Sequence, residues 1–260
     1  MNCSLVIATY NWPEALDLVL KSVMKQSVMP GEVLIADDGS REDTAVLIRS
    51  YQQQFRVPLI HMWQEDHGFR KTIILNKTYK QAKSEYIIQV DGDIVLHPHF
   101  IRDHLLHRSH GYFIKGSRGR LTRELTETAL RNKTIRFSPL QPGVKSSINA
   151  THFPLASKLF YGKEYVSRNV KGCNFAVWKS DFVAVNGYDN TIAGWGHEDI
   201  DLAARLINNH VKRRQLKMAG VCFHLYHELA SRSKEADNLE RYYGVVEQRI
   251  VRCADGYDQV

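Results

Sequence analysis

The chain has 260 residues, 43% of them hydrophobic and 24% charged, a composition that fits one large folded domain or two closely packed ones and excludes a disordered or fibrous protein. Lys and Arg number 35 against 28 Asp and Glu, a formal charge of +7, and residues 111–170 concentrate the excess, with 11 basic residues against Glu124, Glu127 and Glu164. That balance suits an anionic partner (a nucleotide, a phospholipid surface, a lipid-linked pyrophosphate or a nucleic acid), although a solvated basic face would explain it equally well.

Residues 4–9 form an apolar strand, too short for a signal peptide or a membrane span and closed by Asn11 and Pro13. Pro13 suits the first turn of a helix carrying Ala15, Leu16, Val19, Leu20 and Val23 on one stripe. The next expected strand, 32–36, runs into Asp37-Asp38-Gly39-Ser40, and a helix follows through Ala45, Leu47 and Ile48. Residues 57–62 read as a strand, 71–82 as a helix, and 85–90 as a fourth strand ending in Asp91-Gly92-Asp93. Short apolar strands separated by helices of about 10–15 residues predict an α/β fold, with a mainly parallel central sheet flanked by helices.

Between 111 and 170 this rhythm is lost among Gly116, Gly119, Pro139, Pro142, Gly143 and Pro154. The segment reads as loops and short helices that order on ligand binding. Beyond it come a strand at 172–178, a short helix at 180–185, a turn at Asn186-Gly187 and a helix at 198–209 with Leu202, Ala203 and Leu206 on its apolar side. Residues 217–223 are the last expected strand, and the polar tail from Glu228 reads as helical.

Three features carry chemistry. Asp-Gly is a common turn and a lone Asp-x-Asp is a weak signal. An Asp-Asp-Gly-Ser after one buried strand and an Asp-Gly-Asp after another is far more specific, because ligands bind at the carboxyl ends of parallel strands. Mg²⁺ and Mn²⁺ prefer carboxylate, water and phosphate oxygens, and Gly92 lets the backbone turn tightly against a ligand. No GxGxxG follows the first strand, which disfavours a dinucleotide fold. The second feature is Gly194-Trp195-Gly196-His197-Glu198-Asp199-Ile200-Asp201. Helix capping explains acids at a helix start, and Asp201 with Arg205 makes an ordinary i,i+4 pair. Neither accounts for an exposed Trp between glycines, which suits a wall for a sugar, nor forbids an acid there from serving as a general base. The third is Cys222-Phe223-His224-Leu225-Tyr226-His227, where two histidines three apart suit either metal or a structural role.

With these residues in view, the chain resembles the inverting glycosyltransferases of family 2, which have the nucleotide-diphospho-sugar (GT-A) fold, over about residues 2–230. Val6 to Asn11 is similar to the family's first strand, whose end, with Thr9 and Tyr10, meets the uracil. Asp38 looks like the acid that holds the uridine, and Asp91 and Asp93 like the metal-bridging pair. Residues 68–76, with Arg70 and Lys71, look like the donor-site helix, and the resemblance adds Asp66 and Gly92 to that site. Residues 171–175, 186–189 and 194–199 resemble the carboxy-terminal region of β-1,4-galactosyltransferases and bacterial chondroitin-type polymerases. This implies Trp195 on a gating loop, Asp199 as the base with Glu198 beside it, and His227 completing the metal shell, with His224 as runner-up. His197 stands where the galactosyltransferases have a glycine, and Ile200 interrupts their run of acids, so their acceptor is not carried over.

The resemblance implies a GT-A fold with a smaller mixed sheet on the acceptor side. It divides the chain into a nucleotide-sugar half at 1–110, basic acceptor-side loops at 111–170, an acceptor and catalytic part at 171–227 and a tail at 228–260. It implies metal-dependent transfer, with Mn²⁺ or Mg²⁺, of a hexose or N-acetylhexosamine from a UDP-sugar (UDP-Gal, UDP-GalNAc or UDP-Glc type) to a glycan or lipid-linked glycan, forming a β-glycoside in surface polysaccharide synthesis. A sugar-phosphate nucleotidyltransferase needs a Gly-rich basic loop after its first strand, which residues 9–12 lack. A non-catalytic glycan- or nucleotide-binding protein would not need Asp38, Asp93, Asp199 and His227 together. Nucleic acid is disfavoured, because the aromatics do not interleave with the basic residues. Four scattered cysteines without a CxxC pair suit a reducing compartment. The expected location is therefore the cytoplasm, with room for a homodimer and for a weak contact between the basic segment and the inner membrane face.

Overall fold

The computed structural model describes residues 2–228 and 234–260. Its centre is built from apolar runs buried on both faces. Strands β1 (Ser4–Thr9) and β2 (Glu32–Asp37) are buried at every position, and β4 (Tyr86–Asp91) at all but its last. With β3 (Leu59–Trp63), these strands pair in parallel in the order β4-β1-β2-β3. Alternation along β1 sends Leu5 and Ile7 to one face and Val6 and Ala8 to the other. The first face packs on α1 (Pro13–Met24), α2 (Glu42–Gln52) and α4 (Phe100–His107), and the second on α3 (Lys71–Gln81), α7 (Lys179–Ala184) and α8 (Glu198–Asn208).

The segment expected to be irregular is partly regular. It holds β6 (Tyr112–Lys115), β7 (Gly119–Leu121), α5 (Arg123–Asn132), β8 (Val144–Lys145), α6 (Ser147–Ala150) and a 3-10 turn at Pro154–Phe160. Thr122 caps α5 by accepting the Leu125 N–H. β6 joins the main sheet against β9 (Asn174–Trp178), which runs antiparallel between β6 and β4. β10 (Lys212–Gln215), a strand the sequence reading lacked, pairs with β6 at the edge. The seven-stranded order is β10-β6-β9-β4-β1-β2-β3.

A second sheet has the order β5-β11-β7-β8, with β5 (Ile94–Leu96) and β11 (Cys222–His224) at its head. Only the end of the strand expected at 217–223 pairs, because Met218 and Gly220 have φ of 59° and 56° and turn the chain. In the tail, α9 (Glu235–Glu247) confirms a helix, while residues 229–233 lie outside the described part. α1 packs against both sheets, giving Leu16 and Val19 to one core and Ala15 and Leu18 to the other. A buried pair locks α8 in place: Arg205 Nη2 meets Asp201 Oδ2 at 2.7 Å, and its Nη1 donates to the Val185 and Gly187 carbonyls at 2.7 and 2.6 Å. All four cysteines are free and buried.

Candidate active site

β1, β2 and β4 end side by side, with Thr9 opposite Asp37 and Ala8 opposite Asp91. The two acidic turns therefore face each other across the end of β1, around a cleft of about 450 Å³ lined by Thr9, Tyr10, Asp38, Lys71, Asp91, Gly92, Asp93, Trp195 and His227 among others. Asp37 turns away and closes its own turn, accepting the Ser40 N–H at 2.8 Å and meeting His61 Nε2 at 2.8 Å. Asp38 is held for the cleft by the Arg70 backbone N–H at 2.8 Å and the Gln64 side-chain amide at 2.7 Å. Burial raises its pKa against those two bonds.

Two donor-site expectations land at the rim. Asp66 accepts the Tyr10 hydroxyl at 2.9 Å and the Gly68 N–H at 3.0 Å, which ties the lip of the cleft. The Arg70 guanidinium donates to the Glu65 carbonyl at 2.9 Å, while its backbone N–H and its charge both favour the ionised form of Asp38. The reason for Gly92 also differs from the expected one. A Cβ there would meet Thr9 Oγ1 at 2.8 Å, so the close neighbour that requires glycine is the end of β1.

The Asp-Gly-Asp motif splits by role. Asp91 Oδ1 takes the Lys71 ammonium at 2.7 Å. Burial works against that ammonium, but Asp91, Asp199 and Glu198 outweigh it and raise its pKa, so Lys71 stays charged. Asp93 turns to the other sheet, where its Oδ2 lies 3.2 Å from His227 Nε2 and 3.4 Å from His224 Nε2. One donor atom from each of the three lies within 4.8 Å of the others. His227 Nδ1 meets the Glu228 carbonyl at 2.7 Å, which aims Nε2 at Asp93, and the buried Asp93 Oδ1 has no hydrogen-bond partner among the described residues. The hydrogen bond to Asp93 raises the His227 pKa to about 8. This donor set fits a divalent cation, and two imidazoles beside a carboxylate suit Mn²⁺ better than Mg²⁺, which prefers an all-oxygen shell.

A second cleft, of about 480 Å³, adjoins the first, and Lys71, Asp91, Asp93, Trp195 and His227 line both. α8 delivers Glu198 and Asp199 into it, entered through Gly194, Gly196 and His197 at φ of 74°, 110° and 72°. Trp195, expected to be exposed, is half-buried between the clefts. Asp199 packs over Gly172, where a Cβ would meet Asp199 Oδ1 at 2.5 Å, and that oxygen is buried without a partner among the described residues. Burial raises the Asp199 pKa against Lys71 and the Gly172 N–H. Burial and the Asp199 charge push Glu198 up to about 7, with Lys71 opposing.

The structure thus gathers the expected acids, histidines and Trp195 around one junction. The sequence reading missed Arg118, Arg120, Lys171, Tyr226 and Glu235 on the second cleft. The cationic excess of 111–170 was the signal for Arg118 and Arg120, whereas Lys171, Tyr226 and Glu235 lie outside that segment. No helix among the described residues is long and apolar enough to cross a membrane.

Comparison with known proteins agrees with this geometry. The sequence profile described as Glycosyl transferase family 2 matches residues 4–155, more than half the chain, and that described as N-terminal domain of galactosyltransferase matches 151–228. A validoxylamine A glucosyltransferase of Streptomyces hygroscopicus subsp. limoneus is 26% identical over 221 residues, 78% of this chain and 47% of the relative. The chain therefore spans about half the length of that curated relative. In fold, it resembles the mannosyltransferase PcManGT from Pyrobaculum calidifontis, solved with GDP-Man and Mn²⁺ (TM-score 0.67, 13% identity, 95% of this chain and 64% of that one). It also resembles S. aureus TarS residues 1–349 solved with UDP (TM-score 0.65, 14% identity, 99% and 68%).

Proposed function

The chain belongs to glycosyl transferase family 2, and from that premise we propose that it transfers a hexose or N-acetylhexosamine from a UDP-sugar to a glycan or lipid-linked glycan hydroxyl with inversion. The observation that carries the reading is the junction of two clefts at Lys71, Asp91, Asp93, Trp195 and His227. One cleft has the acids for a nucleotide, and the other has a carboxylate pair for a hydroxyl, Glu198 buried and Asp199 half-buried.

Asp38, Thr9 and Tyr10 take the uridine in the first cleft. Asp199 accepts the proton of the acceptor hydroxyl as its oxygen attacks the anomeric carbon from the face opposite UDP, so an α-linked donor yields a β-glycoside. Asp93, His227 and His224 would hold a divalent cation that supplies positive charge for the departing diphosphate. Lys71 adds a fixed charge at the same place, and its Asp91 partner holds it there. Glu198 hydrogen-bonds the acceptor, and Trp195 covers the reacting centre against water. No second carboxylate is needed to protonate the leaving group, which distinguishes the site from a hydrolase. The basic surface of 111–170 supports weak, reversible contact with an anionic membrane face.

Asp199→Asn tests the assignment. It keeps the shape, and turnover of UDP-sugar should fall by roughly 10²–10⁴-fold with UDP affinity unchanged. Near-normal turnover at saturating acceptor would remove Asp199 as the base, and a larger loss in Glu198→Gln would move the role to Glu198.

A further inference from the structure

The second cleft continues past its carboxylates into a cavity of about 280 Å³. Lys115, Arg118, Arg120 and Lys171 line this cavity, and no carboxylate does among the described residues. Arg118, Arg120, Lys171 and Cys173 line the second cleft as well, so the two spaces are continuous. None of the four cations has a carboxylate within salt-bridge reach among the described residues. Lys115 Nζ donates to Gln215 Oε1 at 3.1 Å, and Arg118 Nη1 to the Cys173 thiol at 2.5 Å. Burial, Arg213 and Arg118 push Lys115 down to about 8.

The sheet register adds a further cation, because Arg120 on β7 is beside Lys145 on β8. Like charges facing each other across an antiparallel pair oppose pairing. The four cations around this cavity also repel one another, and the carboxylates that act on Arg118 and Lys171, Asp91, Asp93 and Asp199, line the adjoining cleft rather than this cavity. An oxyanion among them reverses the sign of both effects, and an Arg fork matches carboxylate and phosphate geometry alike. The donor's diphosphate is not the target, because none of the four cations lines the donor cleft.

We propose that this cavity, with Lys115, Arg118, Arg120 and Lys171, binds an anionic group carried by the acceptor, a carboxylate or a phosphate, and so selects acidic acceptors; this rests on reading the second cleft as the acceptor site. The anion is held beyond the hydroxyl that faces Asp199, and the basic cavity sets which acceptors reach the base.

The test is calorimetric titration of protein loaded with UDP and Mn²⁺, using inorganic phosphate and glucuronate as separate probes at low and high salt. At least one anion should bind, more weakly at high salt. Arg118→Gln and Lys171→Gln should each weaken it by about tenfold or more. Arg131→Gln, an exposed cation absent from the cavity, should not change it. UDP affinity reports folding in every variant. Tighter phosphate binding assigns a phosphorylated acceptor, and tighter glucuronate binding a uronate-bearing one. If the wild type binds neither anion, or Arg118→Gln binds as the wild type does, the proposal is overturned. Failure of the wild type to bind UDP would sink the nucleotide-sugar reading instead, and the same titration on unloaded protein would still decide the anion site.

Discussion

Removing a carboxylate from the site should stabilise the protein. Glu198 is 5% exposed, and burial, with the Asp199 charge, pushes its pKa from 4.5 up to about 7. At 1.36 kcal/mol per pH unit, this costs the ionised folded state about 3 kcal/mol. The folded protein holds this proton more tightly than the unfolded chain does. The stability linked to it is therefore complete below pH 4.5 and is lost as the pH rises through about 7. Glu198→Gln keeps the shape without the charge, and Lys71 keeps its closer partner Asp91 at 2.7 Å. The variant should match the wild type near pH 4.5 and exceed it by up to about 3 kcal/mol at pH 8, a Tm rise of roughly 6–12 °C. Urea unfolding of both proteins between pH 4.5 and 8 reads the difference directly. If Glu198→Gln is no more stable than the wild type at pH 8, Lys71 fully compensates the buried charge and the reasoning fails.

His227→Ala and His224→Ala should each weaken Mn²⁺ binding about tenfold or more by direct titration, and normal affinity in either would remove that histidine from the metal shell. Trp195→Ala should increase the share of UDP-sugar lost to water relative to transfer, measured as free sugar against product, whereas an unchanged ratio would leave it a packing residue. Asp201→Ala leaves the Arg205 guanidinium buried with only two carbonyl partners, so denaturant unfolding should show a loss of about 3–5 kcal/mol. A loss under about 1 kcal/mol would mean that water reaches Arg205.

β1, β2 and β4 were legible because they are buried on both faces. Runs such as Leu5 to Ala8 and Val33 to Ala36 carry no polar interruption, so length and flanking turns were enough. The strands that escaped are all short, and several are polar, although β5 (IVL) and β6 (YFIK) are largely apolar. Lys212–Gln215 reads KRRQ and Gly119–Leu121 reads GRL, and only their neighbours make them strands. Asp38 and Asp93 were legible because their motifs sit where a parallel sheet presents ligands, and Asp199 through the resemblance of residues 194–199. Arg120 sits on a short strand, Arg118 beside it and Lys171 in a loop, and no spacing ties them together. Only the packing of β7 against β11 brings Arg120 beside His224. Gly92 alone separates Asp91 from Asp93, yet Asp91 Oδ1 meets Lys71 while Asp93 Oδ2 faces His224 and His227.

The antiparallel insertion of β9 between β4 and β6 has a consequence for biosynthesis. β4 is an open edge until Asn174–Trp178 arrives, although Ile87 and Ile88 are fully buried in the finished sheet. At ribosomal speeds of about 5–20 residues per second, the chain between Asp91 and Asn174 takes roughly 4–16 seconds to appear. During that interval an apolar strand offers unpaired N–H and C=O groups to any neighbouring chain. The charged 111–170 segment is made within the same window. Its surplus of positive charge makes nascent copies repel one another while that edge waits for its partner.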